Sequence, residues 1–257
     1  MTKELEFRVI EEAVGGVALD SAVLIYRGAN STAFATVHPI HHDDAGAASI
    51  LPGRPMTMLA VARLAKRLGS ARRPGGFVPM NLLYQDLTTM AWWVPPARRH
   101  IWFRCTGGEL GAPERGESVP HPGLVFAATS DRTWRVWAVK GCDRPSEATP
   151  LFQAPYFNVY GTGAICQGNV DVPTGGFAGS VADRIEAWNK AFFDSFFTHP
   201  NTQGPLVNYK GGPYRFWRDM LDGRHAVFPE SALVPLGTSL AQVLGRRGPD
   251  GDRKSVV

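Results

Sequence analysis

The first 40 residues alternate. Leu5, Phe7 and Val9 fall on one parity, Val17–Tyr26 is rich in Val, Leu and Ile, and Ala33–Val37 follows Gly28-Ala29-Asn30-Ser31. Period-two patterning broken by turn residues predicts a β-meander. A 3.6-residue period replaces it from Pro55 to Leu68, where Met58, Val61, Leu64, Ala65 and Leu68 share one face. Proline suits a helix's first turn and Gly69 sits where a C-cap would fall, so a first helix is predicted over 55–68. Strands are predicted next at Asn81–Tyr84, Met90–Val94, His100–Cys105, Leu124–Thr129 and Thr133–Lys140. Pro95-Pro96-Ala97-Arg98 and Ser130-Asp131-Arg132 read as hairpin turns, and Gly107–Pro122, rich in Gly, Pro and Glu, as a mobile surface loop. A second helix, capped by Ser180 or Asp183, should run to about Phe197 with Ile185, Trp188, Phe192 and Phe196 as its buried stripe. A short third helix is predicted over Tyr214–Leu221, and a disordered tail from Gly245.

Composition sharpens this outline in a few places. A chain of 257 residues, 44% hydrophobic and 19% charged, is that of an ordinary globular protein with a sizeable core. Alternation places about half of Trp92, Trp93, Trp102, Phe103, Trp134 and Trp137 in that core and half on the other face. The first residues are charged, without the apolar stretch of a secretory leader, and no apolar run is long enough to span a bilayer. A soluble, cytoplasmic protein is expected. Residues 63–73 carry Arg63, Lys66, Arg67, Arg72 and Arg73 and no acid. That cluster reads as a docking surface for an acidic partner, or as a merely solvated helix face.

Candidate chemistry is sparse. Cys105, Cys142 and Cys166 form no CxxC pair, which argues against a zinc cluster and, in an odd number, fits reduced thiols. Cys105 and Cys142 end or follow strands and are expected to be buried structural thiols. His38-Pro39-Ile40-His41-His42-Asp43-Asp44 looks like a metal site but leads into small residues that fix no geometry, and is expected to be a solvated loop. His121 and His225 stand in Pro- or Gly-flanked loops and support no specific role. Cys166 differs. It ends the extended, glycine-bearing stretch Ala154-Pro155-Tyr156-Phe157-Asn158-Val159-Tyr160-Gly161-Thr162-Gly163-Ala164-Ile165-Cys166. Gly161-Thr162-Gly163 is no dinucleotide fingerprint, since the third glycine is misplaced.

The order Asn-Val-Tyr-x-x-Gly-x-Ile-Cys over 158–166 resembles the active-site segment of ubiquitin-conjugating enzymes. In that family the motif begins His-Pro-Asn; here Tyr156-Phe157 replaces the His-Pro pair, and Gln167-Gly168 replaces the apolar-acidic pair after the cysteine. The resemblance implies an α+β, ubiquitin-conjugating-like fold of helix, antiparallel β-meander, extended active-site segment and helix, with an N-terminal β-meander extension. Residues 1–50 would be that extension, 51–225 the conjugating-like domain and 226–257 a C-terminal extension. Trp92-Trp93-Val94-Pro95, Asn158-Val159 with Cys166, and Phe196-Phe197-Thr198-His199-Pro200-Asn201 are similar to features of a bacterial branch, the PRTRC system protein B family.

What this implies is a carrier that takes a ubiquitin-like modifier from a ThiF-like activating enzyme as a thioester on Cys166 and passes it to an amine. A JAB-type metallopeptidase would belong to the same pathway. Asn158 would donate to the developing oxyanion, with a turn-stabilising asparagine as the competing reading. His199 is a candidate for proton transfer, or a helix-terminal histidine. Asp171 is a further candidate for orienting an incoming lysine. Arg63, Lys66 and Arg67 would meet the activating enzyme. No metal or small cofactor is implied, because the activating partner consumes the ATP. Two alternatives stay open: a cysteine hydrolase using Cys166, His199 and Asn201, and a non-catalytic modifier-binding adaptor of the same fold. A nucleic-acid module has only the 63–73 cluster and the tail in its favour.

Overall fold

The computed structural model describes residues 19–27, 33–44, 46–57, 59–61, 63–64, 77–86, 88–129, 133–168, 170–173 and 180–245. The chain divides into two compact units, Met1–Gly75 and Gly76–Val257.

In the first unit, β1 (Ser21–Arg27) and β2 (Ala33–His42) pair antiparallel in unbroken register from Ser21 opposite Pro39 to Arg27 opposite Ala33. The short β3 (Ala48–Ile50) and β4 (Arg54–Pro55) also pair with β2. The meander is therefore present from residue 21; the predicted strand at 5–9 and the turn at 28–31 lie outside the described residues. Two corrections follow. His38–His42 belong to β2 rather than to a loop, because the apolar–polar alternation continues through the histidines. No group of three or more His, Cys, Asp or Glu among the described residues is placed to hold a metal. Pro55 is the last residue of β4, and the first helical residue among those described is Leu59. Thr57 accounts for the later start, since its Oγ1 accepts from Ala60 N–H at 3.2 Å as an N-cap does. Arg63 is helical and exposed; Lys66, Arg67, Arg72 and Arg73 lie outside the described residues.

The second unit is built on a six-stranded antiparallel sheet with spatial order β13-β11-β10-β9-β6-β5. Its strands are β5 (Leu82–Gln85), β6 (Thr89–Val94), β9 (Gly123–Thr129), β10 (Trp134–Val139), β11 (Pro150–Gln153) and β13 (Pro235–Ser239). Alternation sorts its side chains into two cores. Met90, Trp92, Leu124, Phe126, Ala128, Trp134, Val136 and Ala138 face the larger one, where Ile185, Trp188 and Phe192 of helix α1 (Val181–Phe193) cover them. Ala91, Val125, Ala127, Trp137 and Val139 face the smaller one, joined by Leu240 of α3 (Leu240–Val243). Burial on both faces explains the nearly continuous apolar run Leu124–Ala128. Ser180 caps α1, and with Asp183 it forms a capping box, each side chain bonding the other's backbone N–H.

Three predicted connections are overturned here. The segment Pro95–Arg98 is not a hairpin turn: β7 (Ala97–Arg104) leaves the large sheet and pairs instead with β8 (Glu114–His121) in a separate three-stranded sheet, while β9 takes the place beside β6. Two successive prolines without N–H groups are unable to continue a ladder, so the chain changes sheet there. The Gly107–Pro122 stretch contains β8, and Leu110, Val119, Pro120 and His121 are buried. β8 is an edge strand, which is why it tolerates Pro120. Finally α1 ends at Phe193, capped by Asp194, and Phe196–Phe197 form β12, parallel to Trp102–Phe103 of β7. Phe103 collects the rings of Phe157, Phe197 and Trp217 within 6 Å, and Trp217 comes from α2 (Gly212–Leu221), close to the predicted third helix. The predicted tail beyond Gly245 lies outside the described residues. Among them, no helix is long and apolar enough to cross a membrane.

Candidate functional site

Cys166 sits on a tight hairpin. Val159 bridges Ile165, Tyr160 N–H donates to Ala164 O at 2.8 Å and Cys166 N–H to Asn158 O at 2.7 Å. The turn is closed by Gly163 N–H donating to Tyr160 O at 2.9 Å, with Gly163 at φ 81°, a left-handed conformation suited to glycine. The second arm continues the large sheet: Val136 N–H donates to Gly163 O, and Ile165 N–H to Trp134 O. A cysteine-bearing loop that the sequence presents as irregular is thus held by the middle of a sheet.

The pair Tyr156-Phe157 anchors the hairpin's first arm. Tyr156 is fully buried; its hydroxyl and His121 Nδ1 are 2.6 Å apart. Burial lowers the pKa of His121 to about 3, the nearby Arg99 charge adding to the effect, so the imidazole is neutral. Trp217 Nε1–H donates to Pro155 O at 2.7 Å. Large aromatic side chains stand where the motif has His-Pro because this protein uses the positions as core.

Asn158 is the described non-glycine residue with positive φ, at 61°. Asparagine tolerates that conformation when its side chain is locally bonded. Here the carboxamide is engaged at both ends: Nδ2–H donates to Phe196 O at 2.9 Å, and Oδ1 accepts from Thr198 N–H at 3.1 Å and Thr198 Oγ1–H at 2.7 Å. Its own N–H donates to His199 O at 2.9 Å. These bonds clamp the hairpin to the chain leaving β12. They also orient the His199 ring. Thr198 has given its one hydroxyl hydrogen to Asn158, so the 2.9 Å contact between Thr198 Oγ1 and His199 Nδ1 has Nδ1–H as donor. In the neutral ring Nε2 then keeps its lone pair.

Cys166 is half-buried and opens onto a cleft of about 850 Å³. One wall is the C-terminal half of α1 (Ala187, Lys190, Ala191), another Phe196–His199, and the floor is Trp134 and Ile165. Asn158, Cys166, Asp171 and His199 all line it, so the structure brings these four predicted residues together; Arg63 belongs to the other unit. The exposed side chain of Tyr160 feels both Cys166 and Asn201: Cys166, through hydrogen bonding and charge, raises the pKa of Tyr160, burial adds to it, and Asn201 opposes them. Tyr160 figures in the motif only as a match; its parity in a hairpin centred on Gly161–Gly163 is the signal that puts it beside the sulfur.

The other thiols separate. Cys105 is buried and donates to Thr198 O at 3.1 Å, and burial, helped by Glu109, pushes its pKa up to about 11. Cys142 is exposed, contrary to expectation, because it lies in the turn after β10. His225 Nε2 lies 3.2 Å from Tyr209 Oη, in a cluster with Asp219 away from the cleft.

The second unit is mixed α+β and presents one cysteine over a cleft. The family comparison narrows it: the description prokaryotic E2 family D matches residues 58–236, well over half of the chain, and the chain belongs to that family of bacterial E2-like proteins. Membership ties it to ubiquitin-like conjugation. No curated protein and no solved structure matches.

Proposed function

We propose that the chain is a ubiquitin-conjugating-like carrier that accepts a ubiquitin-like modifier from a ThiF-like activating enzyme as a thioester on Cys166. The observation that carries this reading is Cys166 itself, fixed by the Asn158–Cys166 hairpin at the rim of an open cleft, in a chain of an E2-like family. In the first step the Cys166 thiolate attacks the modifier's thioester carbonyl and the activating enzyme's thiolate leaves. In the second an amine of the target attacks the new thioester, the C–S bond breaks and Cys166 is released as thiolate, with the ammonium proton passing to a base. His199, which lines the same cleft, is our candidate for that base.

The order of helical residues, antiparallel strands, cysteine segment and α1 supports a ubiquitin-conjugating-like topology. The resemblance to PRTRC system protein B supports ThiF-like and JAB-type partners, with Arg63, Lys66 and Arg67 as the docking face. The hydrolase alternative is weakened because Cys166 stands on a hairpin, with no helix N-terminus behind it among the described residues.

The test is intact mass after incubation with ATP, the cognate activating enzyme and modifier. A reductant-sensitive adduct of one modifier mass is expected on the wild type and none on Cys166→Ala. No adduct on folded protein with a charged activating enzyme would sink the carrier reading in favour of an adaptor.

A further inference from the structure

The proposed thioester chemistry builds negative charge on a carbonyl oxygen beside Cys166, and a donor must meet it. Asn158 is the residue its motif position suggests, yet its Oδ1 holds Thr198 twice and one amide hydrogen is given to Phe196 O. Turning the carboxamide toward the sulfur would break the clamp on the chain leaving β12. Across the hairpin, Asn158 lies opposite Cys166 and Tyr160 opposite Ala164, so the side chains of 158, 160, 164 and 166 share one face while Val159 and Ile165 turn inward. Tyr160 is thereby a diagonal neighbour of Cys166. Diagonal neighbours on one face are within reach of an aromatic side chain, and Cys166 acts on the Tyr160 hydroxyl directly.

We infer that Tyr160 is the hydrogen-bond donor to the oxyanion formed at Cys166, and that Asn158 holds the loop. This rests on the carrier reading. Before attack the hydroxyl lies beside the sulfur. When the thiolate attacks a thioester its charge moves to the carbonyl oxygen, two bonds from sulfur, and the same O–H meets it there. Collapse of the tetrahedral adduct re-forms C=O, breaks a C–S bond and returns the donor to sulfur. An exposed phenol makes this donor available without unfolding anything, since Tyr160 is 43% exposed.

The experiment uses the thiophenyl ester of acetyl-Gly-Gly as acyl donor and free lysine as acceptor, followed by intact mass on the full chain. Tyr160→Phe is expected to slow both acylation of Cys166 and its aminolysis by about tenfold to a hundredfold, with unchanged end-point stoichiometry. Alkylation of Cys166 by iodoacetamide, a displacement that forms no oxyanion, should not slow. Acyl transfer by Tyr160→Phe at the wild-type rate overturns the inference alone; so does a parallel loss of alkylation, which would make Tyr160 a positioning residue for sulfur. A wild type that is never acylated at Cys166 overturns the carrier reading and this inference with it.

Discussion

Replacing Asn158 by glycine separates a clamp from a catalyst. The substitution removes the carboxamide and leaves a residue for which φ of 61° is unstrained. Three side-chain hydrogen bonds disappear, to Phe196 O, from Thr198 N–H and from Thr198 Oγ1–H. All are partly buried, and such bonds contribute about 1 kcal/mol each. Relief of left-handed strain and the greater freedom of glycine in the unfolded chain are each roughly 0.5–1 kcal/mol and of opposite sign, so they nearly cancel. The net loss is about 3 kcal/mol. For a unit of this size that lowers Tm by roughly 6–12 °C. The assay is thermal unfolding followed by far-UV circular dichroism, with Thr198→Val and the double variant alongside. Because Thr198 Oγ1 shares the lost bonds, the double variant should fall short of the sum of the singles. A Tm within 2 °C of wild type would refute the clamp, and additivity would refute the shared network.

Two other perturbations probe the surroundings. In Gly163→Ala a Cβ would lie 2.5 Å from Trp137 Nε1, against a buried ring, at φ 81°. Left-handed strain alone costs about 1–2 kcal/mol, so the urea midpoint should drop at unchanged slope, and a midpoint within error of wild type would refute the tight turn. The second concerns pH. His121 has its pKa lowered to about 3 by burial, and Arg99 adds to this, so the unfolded chain binds more protons below the usual value of 6.5. The stability tied to its neutral form is fully present above pH 6.5 and is lost as pH falls toward 3. That loss is about 2 kcal/mol between pH 7 and 5. Tm should fall over that interval in the wild type and fall less in His121→Gln; equal slopes would refute the assignment.

What was legible in the sequence followed the strength of local signals. The strands at 90–94, 124–129 and 134–139 are dense apolar runs rich in aromatic and β-branched residues, and the capping box at Ser180 names its helix by itself. Neighbouring side chains along these runs go to two separate cores, which is why the runs are apolar on both parities. β8 was missed because its Gly, Pro and Glu content reads as loop, and only pairing with β7 makes it a strand. The end of α1 was misplaced because Phe196 continues a 3.6-residue stripe that the backbone abandons after Phe193 to lie parallel to β7. At the site, the motif located Cys166 and Asn158, but not that Asn158 is spoken for on both ends. Side-chain allegiance of that kind is decided by Phe196 and Thr198, some forty residues away.

The hairpin at 158–166 also sets a rule for change. Residues facing each other across a two-stranded ribbon turn to the same side, so the number of residues separating Asn158 from Cys166 acts as a parity check. One residue added at Gly161–Gly163 would rotate the sulfur inward, to where Ile165 now meets Trp134, while Asn158 stayed in place. Two added residues would restore the sulfur to the open side on a longer ribbon. Length variation in this turn should therefore be tolerated in steps of two and punished in steps of one, whatever residues are inserted.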